Sequence, residues 1–286
     1  MPDQQAVDDL VHLLDLEAIE VNIFRGTSPD EDRQRVFGGQ VAAQALMAAT
    51  RTVDEDRKVH SLHGYFLRPG DPTVPILYEV DRIRDGRSFT TRRVVAIQHG
   101  KAIFNMSASY QVVEGGLEHQ LEMPEAPDPE TIPDFRSRMA PWAEMMGDWF
   151  HRPRPIDMRH VDFVAPDSDE QMPPMSRVWM KADGRLPDDP VLHTCVLAYL
   201  SDMTLLDTTL LPHGRSGWGG GEMMMASLDH AMWFHRPFRA DEWLLYSQDT
   251  PSTSNARGLA RGSIFTHDGQ LAVSVVQEGL IRVVGG

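Results

Sequence analysis

The chain repeats itself. His63-Gly64-Tyr65-Phe66-Leu67-Arg68-Pro69 matches Ala231-Met232-Trp233-Phe234-His235-Arg236-Pro237, a segment that begins 168 positions later (63 to 231). The same offset sets Arg93 against Arg261 and His99 against His267, after which one inserted residue sets Gly100-Lys101 against Asp268-Gly269-Gln270. A register held across about 40 residues is the mark of duplication. At 286 residues the chain exceeds the usual size of one domain, so two fused units suit its length.

Each half reads alike in secondary structure. In the first, Val36-Phe37-Gly38-Gly39 leads into 40–50, an Ala-rich stretch almost without charge that predicts a helix buried on most sides. Extended segments rich in Val, Ile, Phe, Tyr and Thr are expected at 57–68, 74–84, 88–99 and 101–113, with Asp85-Gly86 and His99-Gly100 as tight turns. In the second, Asp189 caps and Pro190 opens a helix running to Ser201. Strands are expected near 223–237, 242–250, 255–267 and 270–284, with Asp268-Gly269 as the last turn. A central helix followed by a run of antiparallel strands is the order of an α+β unit in which a sheet curls around a helix. The expected division is 1–115 for the first unit and 155–286 for the second. Between them, 116–154 is a surface-hugging connector rich in Pro and acidic residues, with one helical candidate at 134–150.

Several function classes are disfavoured. No stretch approaches the roughly 18 apolar residues of a membrane span. The start, Met1-Pro2-Asp3-Gln4-Gln5, lacks the basic and apolar regions of a secretory signal, and the only cysteine, Cys195, allows neither an intramolecular disulfide nor a thiolate zinc cluster. A cytoplasmic location is the expectation. A net charge of −15 argues against a general nucleic-acid binder. The pairs His60/His63 and His230/His235 lack metal-ligand spacing with supporting carboxylates. Gly214-Arg215-Ser216-Gly217-Trp218 misses the last glycine of a nucleophile elbow, and the run 217–221 lacks the Lys-Ser/Thr of a phosphate loop. Ser227, Asp229 and His230 tempt a triad reading, yet neighbours on one strand point to opposite faces.

A set of longer motifs narrows the field. Phe24-Arg25-Gly26, Val36-Phe37-Gly38-Gly39-Gln40, His60-Ser61, Tyr65-Phe66-Leu67-Arg68-Pro69-Gly70 and Asp85-Gly86-Arg87-Ser88-Phe89 come from the first half. The second half supplies Asp229-His230-Ala231-Met232-Trp233-Phe234-His235-Arg236-Pro237-Phe238 and Val276-Gln277-Glu278-Gly279. In this order they resemble the acyl-CoA thioesterase II (TesB-like) family, from about residue 10 to about 282 and most weakly in the connector. The resemblance implies a double hot-dog fold and hydrolysis of fatty acyl-CoA to free acid and CoA, with no metal or organic cofactor and a homodimeric or homotetrameric assembly. It also implies a water held and activated by Asp202, Ser227 and Gln277. Many members of the family carry Thr where this chain has Ser227, which keeps the hydroxyl and drops a methyl. A glycine-rich loop at 217–221 then suits the mouth of an acyl tunnel, with Met223, Met224 and Met225 as tunnel lining or core filling.

The residues bear this chemistry on their own terms. Positions 191, 195, 198 and 202 share one helix face, so Asp202 continues an apolar stripe and should be partly buried. It stands where the helix dipole disfavours a negative charge, so stability alone does not select it; the plainer alternative is a helix ending at Ser201 with Asp202 facing solvent. Gln277 alternates in phase with Leu271, Val273 and Val275, which puts its amide on the apolar face of a strand, while Ser227 opens its own strand and by itself reads as an ordinary edge serine. Gly38 and Gly39, just ahead of the first central helix, offer free N–H groups and are the expected oxyanion-hole and substrate-binding residues; a tight strand-to-helix turn is the alternative. Two other functions use the same crevice, a hot-dog acyl-CoA hydratase and a non-catalytic acyl-CoA binder, and release of free thiol separates hydrolysis from both.

Overall fold

The architecture was obtained as a computed structural model that describes residues 3–29, 34–215 and 223–284. Two helices occupy the centre. The first, Gly38–Thr50, buries every residue from Gly39 to Ala49, because alanines give it a slim profile and its two glutamines find partners. Gln44 Nε2 donates to the carbonyls of Leu13 and Thr27, while Tyr78 Oη donates to Gln44 Oε1. The second, Pro190–Ser201, starts with the Asp189 side chain accepting from Val191 N, as its sequence predicts. The two helices touch at Gly39, where a Cβ would stand 2.3 Å from the Tyr199 carbonyl oxygen.

One antiparallel sheet wraps both helices. Its strands are β1 (Glu17–Glu20), β2 (Ile23–Gly26), β3 (Arg57–Phe66), β4 (Ile76–Asp85), β5 (Phe89–Gln98), β6 (Lys101–Val112), β7 (Ile156–His160), β8 (Met175–Ala182), β9 (Met223–Ser227), β10 (Asp229–Phe234), β11 (Leu244–Ser254), β12 (Arg257–Thr266) and β13 (Leu271–Val283). Their order, β1-β2-β4-β5-β6-β3-β10-β13-β12-β11-β8-β7, is the same six-strand sequence read outward from the middle in both directions, and β9 adds to β13. This is the double hot-dog expected of the chain. At the middle, β3 pairs with β10 and sets His63 opposite Ala231, the two positions that head the repeated segments, so the duplicated strands form the seam between the halves. His63 and Trp233 meet there edge to face with centroids 5.1 Å apart.

Most expected strands fall within a few residues of their predicted limits, and the exceptions have local causes. The single strand expected at 223–237 is two, β9 and β10, separated at Leu228. Ser227 opposes Gly279 and Ala231 opposes Val276, so four steps on this side face three on β13 and one extra residue bulges. The helix expected at 134–150 is four short pieces, Phe135–Met139, Ala140–Trp142, Ala143–Met146 and Asp148–His151. Pro141 and the positive φ of Gly147 interrupt it. The connector lies along the second half: Gln120 Nε2 donates to the Gly269 carbonyl, Trp179 Nε1 to that of Pro127, and Ile132 is buried beside Trp179 and Phe265. A first helix, Gln4–Leu14, and the outer strands β1, β2, β7 and β8 are not among the elements expected from the sequence.

Candidate active site

Asp202 lies just beyond the C-terminus of the second central helix. That helix does end at Ser201, as the plainer alternative had it, but the carboxylate is half-buried and faces inward. Ser227 Oγ donates to Asp202 Oδ1 at 3.0 Å and Gln277 Nε2 donates to the same oxygen at 2.6 Å. Three residues far apart in sequence therefore converge on one carboxylate oxygen. Gln277 is fully buried on the inward face of β13, in the alternation read from the sequence. Ser227 closes β9 rather than opening a strand, and the bulge at Leu228 accounts for its direction. Without an extra residue, Ser227 and His230 would point to opposite faces; with it, Ser227 reaches Asp202 and His230 Nε2 lies 2.8 Å from Ser201 Oγ in the core. The Asp229 carboxylate is taken up by the bulge, where Oδ1 accepts from Glu278 N, so Ser227, Asp229 and His230 form no triad.

The other oxygen of Asp202 looks toward the first central helix. A Cβ on Gly38 would stand 2.7 Å from Asp202 Oδ2 and 3.1 Å from the Phe66 ring, so a glycine there lets the helix N-terminus reach the carboxylate. Phe37 caps this helix without a side-chain hydrogen bond, and its first backbone bond runs from Val41 N to Phe37 O. The amides before Val41 have no partner among the described residues, so the positive end of the helix is open beside Asp202. Gly39 differs from Gly38: its missing Cβ serves the contact with Tyr199 and the Phe37 ring. Of the two expected oxyanion-hole glycines, only Gly38 lines the cleft.

The cleft holds about 580 Å³ and runs between the halves, from Arg35, Phe37 and Gly38 to Asp202, Ser227 and Leu228. Met225 lines it, whereas Met224 is exposed. Ser216 and 217–221, considered above as elbow and loop, lie outside the described residues. Arg35 and Arg68, both exposed, also line the cleft, and Arg35 Nη2 donates to the Met225 carbonyl. Asp207 was not foreseen. It follows Asp202 on a 3-10 stretch, Leu206–His213, and lines both this cleft and a smaller cavity of about 70 Å³ bounded by Phe135, Met139 and Phe163. Burial, aided by the charge of Asp202, pushes its carboxyl up to about 7. Only a helix-end spacing of two aspartates signalled it in the sequence. Among the described residues no group of three or more His, Cys, Asp or Glu could hold a metal ion, and no helix is long and apolar enough to cross a membrane.

Comparison with known proteins identifies the family. Residues 149–280 match the acyl-CoA thioesterase family and 27–111 match the acyl-CoA thioesterase N-terminal domain. The chain is 42% identical over 280 residues to acyl-CoA thioesterase 2 of Haemophilus influenzae, covering 96% of this chain and 98% of that one. It is 47% identical to the crystal structure of an acyl-CoA thioesterase II from Mycobacterium marinum, with a TM-score of 0.79 and 96% and 98% of the two chains covered. A hot-dog protein from Alicyclobacillus acidocaldarius, 20% identical with a TM-score of 0.78 over 95% and 97%, shares the fold. Sequence, architecture and these full-length similarities place the chain in the acyl-CoA thioesterase family.

Proposed function

We propose that this protein hydrolyses fatty acyl-CoA thioesters to free acid and CoA with Asp202 as general base. The observation that carries the reading is the split use of one carboxylate: Oδ1 is held by Ser227 and Gln277, while Oδ2 faces the open N-terminus of the first central helix at Gly38. A water between Oδ2 and the thioester carbonyl gives its proton to Asp202 as its oxygen bonds to the carbonyl carbon. The Gly38 N–H and the helix dipole stabilise the oxyanion. Collapse breaks the C–S bond, and the proton on Asp202 passes to the departing sulfur. General-base help of this kind contributes roughly 100-fold to 10,000-fold, and no covalent acyl-enzyme is needed. Arg35 and Arg68, lining the cleft, supply positive charge for the anionic end of CoA, against a net charge of −15.

The test is thiol release across acyl-CoAs from short to long chains, by wild type and Asp202→Asn. The near-isosteric change should lower turnover at least about 100-fold with acyl-CoA binding retained. Near wild-type thiol release by Asp202→Asn would remove the carboxylate from the mechanism, and a hydroxyacyl-CoA product would point to a hydratase. The reading includes a first unit at 1–115, a connector at 116–154, a second unit at 155–286 and a homodimer or homotetramer, which light scattering would test.

A further inference from the structure

Behind Asp202 runs a buried polar chain that the mechanism above leaves unused. Ser201, His230 and Gln277 are each 1% exposed or less. Ser201 Oγ lies 2.8 Å from His230 Nε2, and Gln277 Nε2 lies 2.6 Å from Asp202 Oδ1. Between these two contacts, His230 Nδ1 and Gln277 Oε1 are both buried without a hydrogen-bond partner, and the pairing of β10 with β13, with Ala231 opposite Val276, sets the two residues next to each other across the strands. We infer that His230 is a positioning residue: in its Nδ1–H tautomer it holds Gln277 Oε1, so that the amide presents its N–H, not its oxygen, to Asp202. The inference rests on the assignment of Asp202 and Gln277 under the proposed function.

The repeat supplies an independent argument. The offset that relates the halves carries Leu62 to 230 and, after the inserted residue, Ala108 to 277. Leu62 and Ala108 face each other directly across β3 and β6, both almost fully buried. The fold therefore fills this position with an apolar pair in one half and an imidazole–amide pair in the other. Burying an imidazole and an amide costs free energy that a leucine and an alanine do not, so packing alone does not call for them. The polar pair occurs in the half that carries Asp202.

Hydrogen counting selects the tautomer. Ser201 has one hydroxyl proton and three acceptors in reach, His230 Nε2, the Ala198 carbonyl at 2.9 Å and, more weakly, Met232 Sδ at 3.6 Å. Burial holds the His230 ring below its ordinary pKa and keeps it neutral, with one N–H. If Ser201 gives its proton to Ala198 or Met232, Nε2 must carry the ring hydrogen, and Nδ1 then faces Gln277 Oε1 as one lone pair against another. If Ser201 gives it to Nε2, Nδ1 carries the hydrogen and donates to Oε1. Only the second arrangement lets Gln277 donate to Asp202 with its own oxygen satisfied. Turned over, the amide would put Oε1 against the carboxylate, a repulsion poorly screened in the core.

The experiment combines substitution with a spectroscopic reading of the wild type. His230→Asn can place an amide N–H where Nδ1 stands and should keep kcat for decanoyl-CoA within about 3-fold, whereas His230→Gln, which mimics Nε2, should lower kcat about 10-fold or more with KM unchanged. In a Gln277→Ala background His230→Gln should cost nothing further, because the residue acts only through that amide. Nitrogen-15 histidine spectra of the wild type should show His230 as Nδ1–H, a reading that needs no variant to fold. An Nε2–H tautomer overturns the inference. So do losses that multiply in the double variant, or full kcat in His230→Gln while Asp202→Asn is inactive. Full activity in both Asp202→Asn and Gln277→Ala would instead remove the site assignment and this inference with it.

Discussion

Replacing Asp207 by asparagine removes a carboxyl that the folded chain keeps protonated well above its ordinary range. Below about pH 4 the folded and unfolded chains both hold this proton, and the group contributes nothing to the pH dependence. As pH rises toward 7 the unfolded chain releases it while the folded chain retains it, so stability falls; above 7 both are ionised and the full cost remains. Burial and the nearby Asp202 raise the carboxyl from an ordinary 3.8 to about 7. At about 1.36 kcal/mol per pH unit this amounts to about 4 kcal/mol. That figure is a ceiling, since Asp207 borders the cleft and solvent there screens part of it. An asparagine cannot ionise, so the variant should gain on the wild type as pH rises, while any cost of burying its amide is the same at every pH. For a chain of this length about 2 °C in Tm accompanies each kcal/mol, so the difference in Tm between variant and wild type should grow by several degrees, up to about 8 °C, between pH 4 and pH 8. Thermal unfolding of both proteins across that range is the assay. Parallel curves would show that Asp207 titrates as it does in the unfolded chain, and the account of its burial would be wrong.

Two further substitutions probe the cleft. Gln277→Ala should lower kcat about 10-fold to 100-fold, the loss of one positioned donor, with the melting temperature as a control; unchanged kinetics would assign the amide to the fold. Gly39→Ala sets helix propensity against packing: alanine favours a helix by about 1 kcal/mol, but its Cβ meets the Tyr199 carbonyl at 2.3 Å, and overpacking costs about 1 to 3 kcal/mol. The balance predicts a lower Tm, and a stabilised variant would mean that the helices separate more easily than the contact suggests.

What could be read from the sequence followed physical contrast. The central helices stood out because an alanine run without charge and an Asp-Pro start have few other uses, and the hairpins because Asp-Gly and His-Gly turns punctuate β-branched stretches. The outer strands β1, β2, β7 and β8 are only four to eight residues long, too short for periodicity to single them out, and tertiary pairing makes them strands. Asp202, Ser227 and Gln277 were named through the family resemblance; helical phase and strand alternation said which faces they occupy, but only the sheet brings them together. The bulge at Leu228 is what a period-two reading of β10 misses. It turned Ser227 and His230 to the same face, and so hid the contact between His230 and Ser201. Asp207 escaped notice because an exposed and a cavity-facing aspartate look alike until the neighbouring chain is placed.

Pairing of β3 with β10 has a consequence for dissecting the protein. A chain cut in the connector would leave each piece with a long, unsatisfied strand margin, the kind of border that recruits other chains. Expressed singly, such pieces should precipitate; expressed together, they should find one another through that margin and rebuild the crevice. Because β3 and β10 continue one sheet, neither half should hold its fold without the other.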